Sequence, residues 1–205
     1  MSAKIINMSN DSLKGKFLIS SPAIGDNRFC RSVIFIATDN ETGSMGVVIN
    51  KPSAHTFTHI AKSVNQNLDV ADINLGECIV NISLGGPVNS NNLFIIHSND
   101  YQINQTIPVL KEISMTNQPQ TIIDLIQNQG PKNSLIAIGC STWEKDQLRQ
   151  EINENSWIIY PFDPKYLFQN PPYQLYDQIL KDLGITNTNP AMFVNNKSHT
   201  TNKNN

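Results

Sequence analysis

Apolar positions cluster in short runs separated by polar, glycine and proline punctuation. Between Gly15 and Pro52 the chain reads GKFLISSPAIGDNRFCRSVIFIATDNETGSMGVVINKP, with apolar runs at Phe17–Ile19, Val33–Ala37 and Val47–Ile49. Each run is rich in β-branched residues and too short for a core helix, so all three are expected to be strands. The spans expected are Lys16–Ser20, Ser32–Thr38 and Met45–Asn50. Asp39–Gly43 between the last two suits a hairpin connection, with Gly43 able to take positive φ.

Further along, Phe57, Ile60, Ala61 and Val64 recur at helical spacing, which predicts a short amphipathic helix over His55–Val64. A loop is expected over 65–74, then strands at Cys78–Ile82, Asn92–His97 and Pro108–Ile113, with a sharp turn at Ser83–Val88. Ile122, Leu125 and Ile126 mark one face of a helix from Pro119 that ends before Gly130-Pro131. Ser134–Gly139, SLIAIG, is a continuous apolar run between turn residues, as in a strand buried on both faces. A helix over Trp143–Asn153, a strand at Ser156–Tyr160, a turn or a single helical turn over Pro161–Phe168 and a helix over Tyr173–Leu183 complete the pattern. Strands come first, and strands and helices then mix, which predicts an α+β fold with a mainly antiparallel sheet. A doubly wound nucleotide-binding fold would need regular alternation and an early Gly-x-Gly-x-x-Gly, and neither is present. One α+β domain is expected over 13–190, between a flexible N-terminus (1–12) and a polar, disordered tail (191–205).

The opening stretch resembles the start of the AlgH/YqgE family of bacterial proteins of unknown function. Three later segments carry the same resemblance: Ser83–Val88 (SLGGPV), Leu93–Ser98 (LFIIHS) and Gly130–Trp157. The resemblance spans roughly residues 13–185. It implies a bent sheet curled into a pseudo-barrel with helices packed outside. One branch of the family bears the label of a transcriptional regulator, so the resemblance also implies a regulatory role. Where the family has a second glycine before the tryptophan, this chain has Thr142, and Ser198-His199 stands where the family often ends in Gly-His.

Composition narrows the partners. Charged residues make up 16% of the 205, against about 25% in an average chain, and the net charge of −2 offers no general attraction to nucleic acid or an anionic membrane. No helix-turn-helix or basic recognition helix is legible, so direct nucleic-acid binding is not expected. The cysteines Cys30, Cys78 and Cys140 are odd in number and widely spaced, which suits free thiols in a reducing compartment. No signal-peptide core or 18-residue apolar run is present, so a cytoplasmic protein without a membrane partner is expected.

Four residues are candidate ligand contacts: Arg28, Arg31, Cys140 and Ser141. The loop Asp26–Arg31 sets two guanidinium groups beside one acid, near Asn50-Lys51, a pattern suited to a small anionic ligand or to a salt-bridged loop. Ser141-Thr142-Trp143-Glu144 fits a Ser-x-x-Glu capping box. A helix starting there would favour anions and lower the pKa of the Cys140 thiol. The nucleophile-elbow pattern Gly-x-Ser-x-Gly fails at Trp143. His55 and His59 lie four apart without a third ligand, so no metal is expected. His97 is expected to be a satisfied, partly buried histidine, and Trp143 and Trp157 to be core anchors. No catalytic set and no cofactor motif is complete. The expectation is a non-enzymatic domain that binds an anionic ligand or a protein; the alternative is a thiol sensor or enzyme using Cys140 at a helix start.

Overall fold

The structure is a computed structural model and describes residues 11–22, 24–67, 69, 80–169 and 171–185. In chain order the elements are β1 (Phe17–Ser20), β2 (Val33–Asn40), β3 (Gly43–Val48), α1 (Phe57–Val64), β4 (Val80–Leu84), β5 (Val88–Ser98), β6 (Ile107–Pro108) and β7 (Ile113–Thr116). Then follow α2 (Gln120–Ile126), β8 (Ser134–Glu144), α3 (Gln147–Asn153), β9 (Trp157–Tyr160) and α4 (Pro172–Asp182). Cys78 and most of the loop expected over 65–74 lie outside the described residues, as do both termini.

β1, β2 and β3 form the predicted antiparallel meander, with Leu18 opposite Ile34 and Phe35 opposite Val47. Gly43 has φ +136 and opens β3 directly after the turn. The sheet runs β6-β7-β5-β8-β3-β2-β1-β9, and β4 pairs with β8 off that path. Among the described strand pairs only β4–β8 is parallel. The sheet is thus a mainly antiparallel α+β sheet, curled into a half-barrel with the helices packed on it.

The curl originates in a fork. β3 pairs with β8 only over Gly43–Gly46 against Ser141–Glu144. Beyond that the two strands part, and β4 fills the gap, bonded to Ser134–Ile138 of β8 on one side and to Lys51 and Ser53 on the other. Backbones cross closely here. Gly139 has φ +76, and a Cβ on it would sit 2.4 Å from the Gly86 carbonyl oxygen; a Cβ on Gly86 would sit 2.3 Å from the Cys140 carbonyl oxygen. Only glycine fits either position.

Strand alternation divides the core into layers. Phe17, Phe35, Val47 and Ile96 point into the curl with Leu135 and Cys140, and Tyr166, Leu175 and Ile179 close it from the C-terminal segment. Leu18, Ile34 and Ile36 face the other way, under Leu148 and Ile152 of α3. Ile95 and Ile136 lie under α1 and α2. With both faces covered, the strands read as unbroken apolar runs. Each fully buried Phe or Ile contributes about 1.5–3 kcal/mol from apolar burial.

Two expectations are corrected. Pro108–Ile113 is not one strand: a turn at Val109–Glu112, in which the Val109 and Leu110 N–H groups both donate to the Ile113 carbonyl, separates two short strands. The helix expected from Trp143 begins only at Gln147, because β8 continues through Ser141–Glu144 to pair with β3.

Candidate functional site

The chain between β1 and β2 turns through one 3₁₀ turn, Asn27–Phe29. Asp26 caps it, accepting from the Arg28 N–H at 2.9 Å, and its carboxylate also accepts from the Arg28 guanidinium, Nη2 at 2.7 Å. That guanidinium holds the Asp26 carboxyl below the usual carboxylate range. Lys51 Nζ donates to the Arg28 carbonyl at 3.0 Å, and Asn50 Nδ2 to the Arg31 carbonyl at 2.9 Å. Asn50-Lys51 therefore braces the loop. Arg31 has φ +54 and turns toward α4, donating to both carboxylate oxygens of Asp177 at 2.6 Å with its guanidinium 4.6 Å from the Tyr176 ring centroid.

Between this loop, Pro87-Val88, the end of β8 and Trp157 lies a cavity of about 520 Å³. Arg28 and Ser141 both line it; Arg31 and Cys140 do not. Alternation along β8 puts Ser141 and Trp143 on one face and Cys140 in the curl. Ser141 is 2% exposed, and its Oγ has no hydrogen-bond partner among the described residues. A buried hydroxyl without a partner is uncommon and costly.

The far wall is a carboxylate held by two indoles. Glu151, on α3, accepts at Oε2 from Trp143 Nε1 at 2.9 Å and from Trp157 Nε1 at 2.8 Å. Its Oε1 accepts from Gln147 Nε2 at 2.9 Å. The two indoles meet edge to face at 6.0 Å, and Phe29 packs edge-on to Trp157 at 5.6 Å. Such an arrangement can hold a molecule by an apolar wall, a hydroxyl and a carboxylate. Among the described residues no histidine lines the cavity, so none of them sets an imidazole beside Ser141 to activate it as a nucleophile.

The Cys140 expectation is corrected on its physical basis. Cys140 lies within β8, not at a helix start, and is 1% exposed. Burial pushes its thiol pKa up, against a smaller downward effect of the Asn89 side chain. The helix start that would have lowered the pKa of this thiol is therefore not supplied at Cys140. His97 is fully buried; its Nδ1 lies 2.9 Å from the Ser98 carbonyl oxygen, and burial pushes its pKa down. His59 serves α1, its Nδ1 accepting from the Thr56 N–H in a capping box. Among the described residues no group of three His, Cys, Asp or Glu is arranged to hold a metal.

On the other side of α3, Arg149 reaches Asp39 beside a crevice of about 370 Å³. The Asp39 side chain is 4% exposed and accepts from Leu13 N–H at 2.7 Å, Ser44 Oγ at 2.6 Å and Arg149 Nη2 at 3.2 Å. Burial works against this carboxylate, but the Arg149, Ser44 and Leu13 hydrogen bonds outweigh it and hold its pKa below the ordinary value.

Residues 17–188 match the family model described as AlgH-like. The chain belongs to the AlgH-like family. It is 33% identical over 189 residues to a UPF0301 protein of Bartonella quintana, covering 91% of this chain and 96% of that one. A UPF0301 protein of Rhizobium etli is 32% identical over 174 residues, covering 84% and 87%. The solution structure of the AlgH protein from Pseudomonas aeruginosa superposes with a TM-score of 0.74 at 29% identity, over 98% of this chain and 100% of that one. A Corynebacterium diphtheriae protein shares the fold, with a TM-score of 0.65 at 17% identity over 90% and 92% of the two chains. The fold expected from the AlgH/YqgE resemblance is therefore the one found.

Sequence reasoning selected Arg28 and Ser141 but missed Glu151 and took the two tryptophans only as core anchors. A glutamate inside a short polar helix carries no local sign that two indoles will bond to it.

Proposed function

We propose that this AlgH-like protein is a cytoplasmic, non-enzymatic binding domain that takes up a small molecule in the cavity between Arg28, Ser141 and Trp157. The observation that carries this reading is the buried, unpartnered Ser141 Oγ on a concave surface that also holds aromatic rings and a carboxylate. A volume of about 520 Å³ falls within the range of roughly 300–1,000 Å³ usual for small-molecule sites. The proposal extends to a regulatory role, in which a protein partner reads the occupancy of the cavity, and the support for it is the regulator label borne by one branch of the AlgH/YqgE family. No helix among the described residues is long and apolar enough to cross a membrane.

Gly25 is exposed, lines the cavity and has open space where a side chain would start, so Gly25→Trp fills the cavity without disturbing the core. Fractions of a cellular metabolite extract should raise the melting temperature of the wild type, because a ligand that binds only the folded state stabilises it by mass action. The filled variant should show no such rise. An equal rise in both proteins, or none in the wild type, would count against the cavity as a binding site.

A further inference from the structure

The charges around the cavity say which ligands it favours. Among the described residues three charged side chains line it: Asp26, Arg28 and Glu151. Asp26 and Arg28 form a forked ion pair with a closest contact of 2.7 Å, so to the rest of the site they are close to a neutral dipole. The Arg28 side chain is also 68% exposed, where solvent screens it. Glu151 differs. Its three donors, two indole N–H groups and one amide, are all uncharged. They fix the carboxylate in place without neutralising it, and the lining keeps a formal charge of −1.

Beside that carboxylate stand Phe29, Trp143 and Trp157. Both indole N–H edges are turned to Glu151. The electron-rich ring faces of such side chains attract cations, tryptophan most strongly. The Phe29 ring already has the Arg28 guanidinium 5.9 Å from its centroid, but a fixed carboxylate with no cationic partner among the described residues, set beside two indoles, is a cation-selective combination. Neither guanidinium first singled out is free for an anion: Arg28 is committed to Asp26 and Arg31 to Asp177.

We infer that the cavity binds a small organic amine, its ammonium group directed at Glu151 and its apolar body against Phe29, Trp143 and Trp157, with Ser141 Oγ accepting or donating one hydrogen bond. This inference rests on the cavity being the binding site and goes further in naming the ligand class.

Three probes with one phenyl body and different heads test it: phenethylammonium, 2-phenylethanol and 3-phenylpropanoate. The two tryptophans of the chain give two indole N–H signals in a ¹⁵N–¹H spectrum of the labelled full-length protein, each reporting on its bond to Glu151. The ammonium probe should shift both signals and bind at least roughly tenfold tighter than the alcohol, and the carboxylate should bind most weakly. Raising the salt concentration should erode the ammonium preference. Glu151→Gln keeps an acceptor for the indoles and should remove the preference while the alcohol still binds. If the carboxylate probe binds best, or the three bind alike, the amine inference falls and the cavity stands. If no probe moves either indole signal at millimolar concentration, both fall. Should Glu151→Gln fail to fold, the ranking of the three probes on the wild type decides alone.

Discussion

Two carboxylates flank α3, and the helix reaches one through Arg149 and supplies the other as Glu151. Asp39 is shielded from solvent and accepts from a guanidinium, a hydroxyl and a backbone N–H. Glu151 accepts only from neutral groups, at the wall of a cavity. The local chemistry differs by one charge. Asp39 has its counter-ion within the fold, so its bonds tie the N-terminal segment and β2 to α3. Glu151 is positioned just as firmly but keeps its charge. One carboxylate is finished by the fold, and the other is left to be finished by something that binds.

The largest effect is expected where the finished side is broken. Arg149→Met removes the counter-ion and leaves Asp39 buried and unpaired, at a cost on the order of 3 kcal/mol, read as a lower urea midpoint at unchanged slope. Because the Asp39 carboxyl sits below its ordinary value, its contribution is fully present above about pH 4. It is lost as pH falls through the lower native value. The gap between wild type and variant should therefore be widest above that pH and narrow below it. A loss well under about 1 kcal/mol would show that Asp39 is not held by Arg149 and that the two carboxylates do not differ in kind.

A smaller effect tests the other side. Trp157→Phe keeps an aromatic ring in the layer under α3 but removes one of the two indole donors to Glu151. The lost volume and the lost hydrogen bond to a charged acceptor together should cost about 2 kcal/mol, measured by the same unfolding experiment. The remaining Trp143 indole signal should move, since its acceptor now has one donor fewer. A cost above that of Arg149→Met would reverse the assignment of roles, making Glu151 the carboxylate on which the fold depends.

Why these parts were unequally legible in the sequence follows from how local their causes are. β1 to β3 could be read because each is buried on both faces, and Phe17–Ile19 and Val33–Ala37 carry that burial as unbroken apolar runs. The end of β8 misled for the opposite reason. Ser141-x-x-Glu144 satisfies a capping pattern, yet the chain there stays extended because Gly43–Gly46, far away in sequence, needs a partner strand. Arg28 and Ser141 could be chosen for their chemistry, but only the curl of the sheet brings the Asp26–Arg31 loop and the end of β8 to one cavity. Arg31 and Cys140 had the same local credentials and went to α4 and to the core. Glu151 had none, since its significance is conferred by two indoles that arrive from β8 and β9.

The smallest effect is the most discriminating for the ligand. Arg28 is exposed and its partner Asp26 nearly so, and exposed pairs of this kind contribute little to folding. Arg28→Gln should leave the urea midpoint within experimental error of the wild type. It does change the charge of the cavity. With the guanidinium gone, Asp26 is no longer neutralised, and the formal charge of the lining goes from −1 to −2. An ammonium probe should then bind more tightly than to the wild type at low salt, with the gain disappearing as salt is added. An anionic site predicts the reverse, since Arg28 would be its principal contact. Titration of phenethylammonium and 3-phenylpropanoate into both proteins at two salt concentrations separates these outcomes by sign. Weaker ammonium binding to Arg28→Gln would mean that the guanidinium, not Glu151, faces the ligand.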